Sequence, residues 1–151
     1  MKKLIALVAA AAMLVSVAAA GAAGKTTTYN GEIDNGGTIQ LKVKKSKKKG
    51  KKKTQVVLFR FEGLPVACGA NGAGTTSGAL DFKVPVKRGK FEIDAIIGKP
   101  SNPKSQLTAE GRISRSTAEG TIRVHGSEVP LDNNAGTGDC ESGESDWSAS
   151  K

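Results

Sequence analysis

Thr38-Ile39-Gln40-Leu41-Lys42-Val43 and Val56-Val57-Leu58-Phe59-Arg60-Phe61-Glu62 flank a lysine-rich interval. In the first stretch Ile39, Leu41 and Val43 alternate with polar neighbours. In the second, Val57, Phe59 and Phe61 fall at every second position, with Arg60 and Glu62 between. Period two is the signature of a strand with one buried and one wet face, because successive side chains project to opposite sides. Two such runs in sequence predict an antiparallel hairpin. The interval between them becomes its tip.

The same period recurs outward from this hairpin. Leu80, Phe82, Val84 and Val86 make a third run, and Phe91, Ile93, Ala95 and Ile97 a fourth. Leu107, Ala109, Gly111 and Ile113 follow, then Gly120, Ile122 and Val124 with Thr121 and Arg123 on the other face. Shorter candidates lie at Thr27 to Ile33, Leu64 to Cys68 and Ser145 to Ser150. Turn residues separate the runs: Asn35-Gly36-Gly37, Lys87-Arg88-Gly89-Lys90 and Arg115-Ser116-Thr117. Residues 69–78 and 126–138 are rich in Gly, Asn, Ser and Thr and are expected to be longer loops. No segment after the N-terminal stretch has helical spacing. The expected fold is all-β: a single antiparallel β-sandwich, jelly-roll-like, or a flattened barrel.

The N-terminus has the order of an export signal. Lys2 and Lys3 precede an apolar run from Leu4 to Val17, and small residues follow through Gly24. The apolar core is short for a membrane span, which takes about 20 residues, and no second such run occurs later. Residues 1–23 are therefore expected to be a signal peptide cleaved after Ala20 or Ala23. Residues 24–151 would then form one secreted domain with no transmembrane segment. In an oxidising compartment the two cysteines, Cys68 and Cys140, are expected to form one disulfide.

The ending Gly138-Asp139-Cys140-Glu141-Ser142-Gly143-Glu144-Ser145-Asp146-Trp147-Ser148-Ala149 resembles the closing pattern of a group of secreted actinobacterial proteins of unknown function. Their pattern is Gly-x-Cys-x-Ser-Gly, a Trp four residues on, then Ala. Tyr29-Asn30-Gly31 and Cys68 also fit, so the likeness spans residues 24–151. The resemblance implies a compact β-sandwich with its two cysteines bridged and no catalytic residue. The lysine-rich tip departs from that pattern.

Charge is concentrated at one place. Of 23 basic residues, nine lie between Lys42 and Lys53 and two in the signal, which leaves 12 against 14 acidic residues elsewhere. Lys44, Lys45, Lys47, Lys48, Lys49, Lys51, Lys52 and Lys53 fall in residues 44–54, expected as an overlong, mobile hairpin loop. Such a cluster binds polyanions by releasing their counterions. The partners expected are anionic cell-envelope polymers or other polyanions. Sequence-specific nucleic-acid recognition is not expected, because no aromatic is interleaved for stacking and no helix is available for a groove.

Other chemistry is thinly supplied. Glu92, Asp94, Glu110 and Glu119 can be nominated as paired carboxylates and His125 as a base, but no Gly-x-Ser-x-Gly elbow occurs. Asp132 to Asp139 offers oxygen donors without calcium-loop spacing, and Gly21 to Thr26 has the wrong spacing for a phosphate loop. No catalytic residue, metal ligand or cofactor is assigned, and Trp147 is expected in the core beside the disulfide. The expected function is a secreted, non-enzymatic β domain that binds anionic polymers through the lysine segment. The alternatives are a small extracellular hydrolase acting on carbohydrate and a structural or protein-interaction domain.

Overall fold

The computed structural model describes residues 24–48, 50–69, 72–97, 105–132 and 137–151. Residues 1–23, expected as a signal peptide, lie outside the described residues, as do Lys49 and residues 133–136. Ten strands make one antiparallel sheet: β1 (Lys25–Ile33), β2 (Thr38–Lys48), β3 (Lys51–Cys68), β4 (Gly72–Leu80), β5 (Val84–Pro85), β6 (Lys90–Ile97), β7 (Ser105–Ile113), β8 (Thr117–Pro130), β9 (Thr137–Glu141) and β10 (Ser145–Ser150). No helix of the described residues is long and apolar enough to cross a membrane.

The hydrogen-bonded order is β10-β1-β2-β3-β9-β8, and β8 pairs back onto β10. That return closes a ring, which makes the architecture the flattened-barrel form of the expected all-β fold. Two long strands turn the corners. β3 pairs β2 along Lys51–Glu62 and then β9 at Ala67 and Cys68. β8 pairs β10 along Thr117–Ile122 and then β9 from His125. Each changes partner beside a glycine with positive φ and a shift of register: Gly63 at φ 69° on β3, and Gly126 at φ 148° on β8. A residue with a Cβ would resist either bend, and bulges of this kind are how closed sheets turn. β4 and β5 hang from the far edge of β3, and β7 then β6 from β8.

The inward faces share one core. Phe59, Phe91 and Trp147 meet edge-on or tilted with ring centroids 6.2–6.4 Å apart. They fit because Phe91, Gly111, Gly120 and Trp147 lie in one row across β6, β7, β8 and β10. A Cβ on Gly111 would stand 2.7 Å from Trp147 and 2.8 Å from Phe91. Gly111 leaves the floor on which two rings rest, and a Cβ on Gly120 would run into the β7 backbone, 1.9 Å from the Glu110 carbonyl oxygen. The Trp147 Nε1–H donates to the Thr121 carbonyl at 3.0 Å, and the buried Tyr29 hydroxyl donates to the Ser114 carbonyl at 3.2 Å. Burial pushes the Tyr29 phenol above its ordinary value.

Cys68 and Cys140 are bridged, and they sit directly opposite one another on β3 and β9. Among the described residues two rungs, and the Gly69 N–H donating to the Asp139 carbonyl, hold these strands together, so the disulfide clasps the shortest seam of the ring. Trp147 is in the core but not beside the bridge. It opposes Gly120 while Cys140 opposes Gly126, about 20 Å further along β8 at some 3.3 Å per residue.

Four expectations need correcting. The run Leu80 to Val86 is broken: Leu80 ends β4 opposite Phe59, residues 81–83 are irregular, and Val84–Pro85 then pairs with β3 as a separate short strand. Residues 72–78 of the expected 69–78 loop lie in β4, and β8 and β9 extend into the expected 126–138 loop. A bulge at Lys42/Val43 makes Val56, not Val57, the buried partner of Val43. Finally, residues 44–54 are not a loop.

Two outcomes follow for stability. Gly111→Ala should cost roughly 1–3 kcal/mol, the usual penalty of overpacking, seen as a lower urea midpoint by Trp147 fluorescence; a wild-type midpoint would contradict the packing described. Replacing both cysteines by alanine should cost up to about 4 kcal/mol in the same assay, the loop-closure value for a separation of 72 residues.

Candidate functional site

The lysine segment continues the β2–β3 ladder to its end. Lys44 pairs with Gln55, Lys45 with Thr54, Ser46 with Lys53, Lys47 with Lys52, and Lys48 with Lys51. Gly50 takes the turn with φ 78°. The tip is therefore a regular ribbon. The repulsion expected to hold it open is outweighed by the backbone ladder, which the buried rungs below it have already aligned.

Register sorts the lysines. Opposed residues in an antiparallel pair share a face, and alternate residues on a strand share a face. Val43 and Val56 oppose each other and are both buried. The face they define continues upward through Lys45 and Lys47 on β2 and Thr54 and Lys52 on β3. Lys42, Lys44, Lys51 and Lys53 take the outer face. All of these lysines are exposed. Side-chain exposure changes from buried Val43 to exposed Lys45 within two residues, which marks where the hairpin leaves the body of the barrel.

The structure adds cations that the sequence reading did not include. Lys25 on β1 stands directly opposite Lys45 and is exposed on the same face. It was findable, because counting outward from the Asn35-Gly36 turn pairs Glu32 with Thr38 and, seven rungs on, Lys25 with Lys45. The Val86 N–H donates to the Thr54 carbonyl at 2.9 Å, which brings the exposed Lys87 against the β3 edge of the hairpin. No acidic residue occurs between Lys42 and Lys53, and the ion pairs Arg60–Glu62 and Arg123–Glu141 lie elsewhere. Lys25 opposite Lys45 and Lys47 opposite Lys52 are like-charge rungs, each unfavourable by up to about 1 kcal/mol.

The nominated carboxylates share the outer face of β6, β7 and β8 but do not converge with His125. Glu92 opposes Glu110, and Glu119 opposes Arg112 in the next row. They border an open groove of about 630 Å³ with Lys87, Lys90 and Arg112. All three glutamates are exposed, whereas a carboxyl group serving as general acid is shielded from water. Asp94 accepts a hydrogen bond from Gln106 at 2.6 Å. His125 opposes Gln106 and Glu141, two rows from Glu92, or about 13 Å along the strands. Its Nδ1 is buried without a partner.

Of the 132–139 loop, Asp132 accepts a hydrogen bond from Ser77 at 2.9 Å, and the described residues contain no group of three or more acidic, His or Cys side chains placed to hold a metal ion. Among the described residues Ile96, 60% exposed, is the one large apolar side chain left in water, and it forms no patch. Comparison with protein-family models, with curated proteins and with solved structures found no match.

Screening should tighten the ribbon if like-charge rungs oppose it. Amide exchange at Lys44–Lys47 and Lys51–Lys53 should slow in about 1 M salt, where the Debye length is about 3 Å, relative to dilute buffer. Exchange at the free-coil rate in both conditions would contradict the pairing.

Proposed function

We propose that this chain is an exported β-barrel domain that holds anionic cell-envelope polymers electrostatically through its lysine hairpin, without catalysis. One observation carries the reading: a ladder that is paired to its tip displays exposed lysines with no carboxylate among them. A surface that only kept the protein soluble would mix charges of both signs, as the outer face of β6 to β8 does. Here unpaired ammonium groups are gathered, and they are held in place by backbone hydrogen bonds. Each polymer charge they meet frees a condensed counterion, which makes the binding strong in dilute salt and indifferent to sequence.

The signal-like N-terminus and the bridged cysteines support export, since an oxidising compartment is where such a bridge persists. The likeness of residues 138–149 to the secreted actinobacterial group belongs to the same proposal. Lys25 and Lys87 join the eight lysines of residues 44–53 in the binding surface.

Replacing Lys44, Lys45, Lys47, Lys48, Lys49, Lys51, Lys52 and Lys53 by glutamine should abolish retention on isolated anionic cell-wall material and leave the near-ultraviolet signal of Trp147 unchanged. For the native protein, log affinity for a flexible single-chain polyanion should fall against log salt, at roughly −0.7 per lysine engaged. Retention by the glutamine variant, or a slope near zero, would sink the proposal.

A further inference from the structure

We infer that the hairpin carries two polyanion chains at once, one on each face, and so cross-links the polymer it binds. This rests on the electrostatic reading above and adds a stoichiometry to it. The paired register divides the exposed lysines evenly: Lys25, Lys45, Lys47 and Lys52 on the face continuous with the core, and Lys42, Lys44, Lys51 and Lys53 on the outer face. A mobile loop would present a single averaged cloud of charge. A ribbon presents two separate rows.

Distances decide that the rows act separately. Lysines sharing a face are about 4.5–5.5 Å apart at Cβ across a rung and about 6.7 Å apart at alternate positions on a strand. Both spacings are inside the roughly 8 Å Debye length of physiological salt, so the fields within a face add. Ammonium groups on opposite faces are separated by the backbone and two extended side chains. That is about 10 Å or more, the depth that two layers of side chains occupy between stacked sheets, and the fields are screened from one another. Two bound chains would likewise be screened from each other's charge by the ribbon and by salt.

The core-side row is open to water because the barrel ends below it. Val43 and Val56 are the last buried rung, and Lys45, Lys47 and Lys52 above them are exposed. The chemistry of the row sets how it reads its ligand. All nine basic residues from Lys42 to Lys53 are lysine and none is arginine. Lysine meets an anion as a compact point charge, without the fixed fork by which arginine grips one carboxylate or phosphate. The ligand is therefore a flexible polyanion recognised by the spacing of its charges, for which inorganic polyphosphate is the probe.

The test counts chains. Short inorganic polyphosphate titrated into the full-length mature protein, followed by calorimetry and sedimentation, should saturate at two chains per protein, and long-chain polyphosphate should give a steep rise in light scattering. The core-face variant Lys45→Gln, Lys47→Gln, Lys52→Gln and the outer-face variant Lys44→Gln, Lys51→Gln, Lys53→Gln should each bind one chain and lose the scattering. Saturation of the native protein at one chain, or variants that weaken binding without changing the count, would overturn the inference and leave the electrostatic reading standing. No uptake of polyphosphate or cell-wall polymer by the native protein would overturn both. The native stoichiometry needs no variant, so a variant that failed to fold would not rescue the idea.

Discussion

Val43 opposite Val56 is the rung on which the rest of the hairpin depends. Both side chains are buried, so the register of β2 on β3 cannot slip by one residue without driving the pair into water and a lysine into the core. A slip of that kind would forfeit about 1.5–3 kcal/mol for each valine exposed. The like-charge rungs above oppose pairing by up to about 1 kcal/mol each. The core therefore decides the geometry of the polycation. A hairpin of this composition alone in water would not hold, since isolated two-stranded ribbons are marginal even without repulsion. Here it is the free end of an 11-residue strand and an 18-residue strand whose lower parts are fixed by Leu41, Phe59 and Phe61.

The ring gives the body the rigidity to act as that anchor. Closing β8 onto β10 hides strand edges that would otherwise invite other chains to pair. Among the described residues the seam at β3–β9 has two rungs, and the covalent bridge lies on one of them. At the other end of the barrel, Trp147 and Phe91 fill the space that Gly111 leaves free. The two ends are secured by different means, one by a covalent tie and one by close packing.

What could be read from the sequence followed the apolar period. The runs at Ile39–Val43, Phe91–Ile97, Leu107–Ile113 and Gly120–Val124 became strands because burial of one face enforces alternation there. β4 was hidden because its side chains are small and its place comes from backbone pairing with β3; only Thr76 of Gly72–Leu80 is buried. Phe82 misled in the opposite direction, since an apolar period survives across residues 81–83 where no ladder does. The site was half legible. Its composition was plain from the lysine count, but composition is silent on whether like charges spread apart or are forced into rungs. That depends on the register inherited from Val43 and Val56, and the bulge at Lys42/Val43 that sets it leaves no mark in the apolar pattern.

Forcing like charges into rungs has a thermodynamic consequence that a loose tail would lack. A disordered polylysine must be ordered by its ligand, and that ordering subtracts from affinity. In the paired hairpin the backbone is already fixed, and a bound anion also relieves the Lys25–Lys45 and Lys47–Lys52 repulsion. By linkage, a polymer that binds only the paired form stabilises that form in proportion to its saturation. On the proposed function, the same rungs that weaken the free hairpin would strengthen its response to a polyanion. The disulfide seam lies on β3 at the far end from the lysines, with the buried side chains of Phe59, Phe61, Leu64 and Val66 between. Tension applied to the hairpin by a tethered polymer would therefore load the long β2–β3 ladder in the core before it reached the two-rung seam.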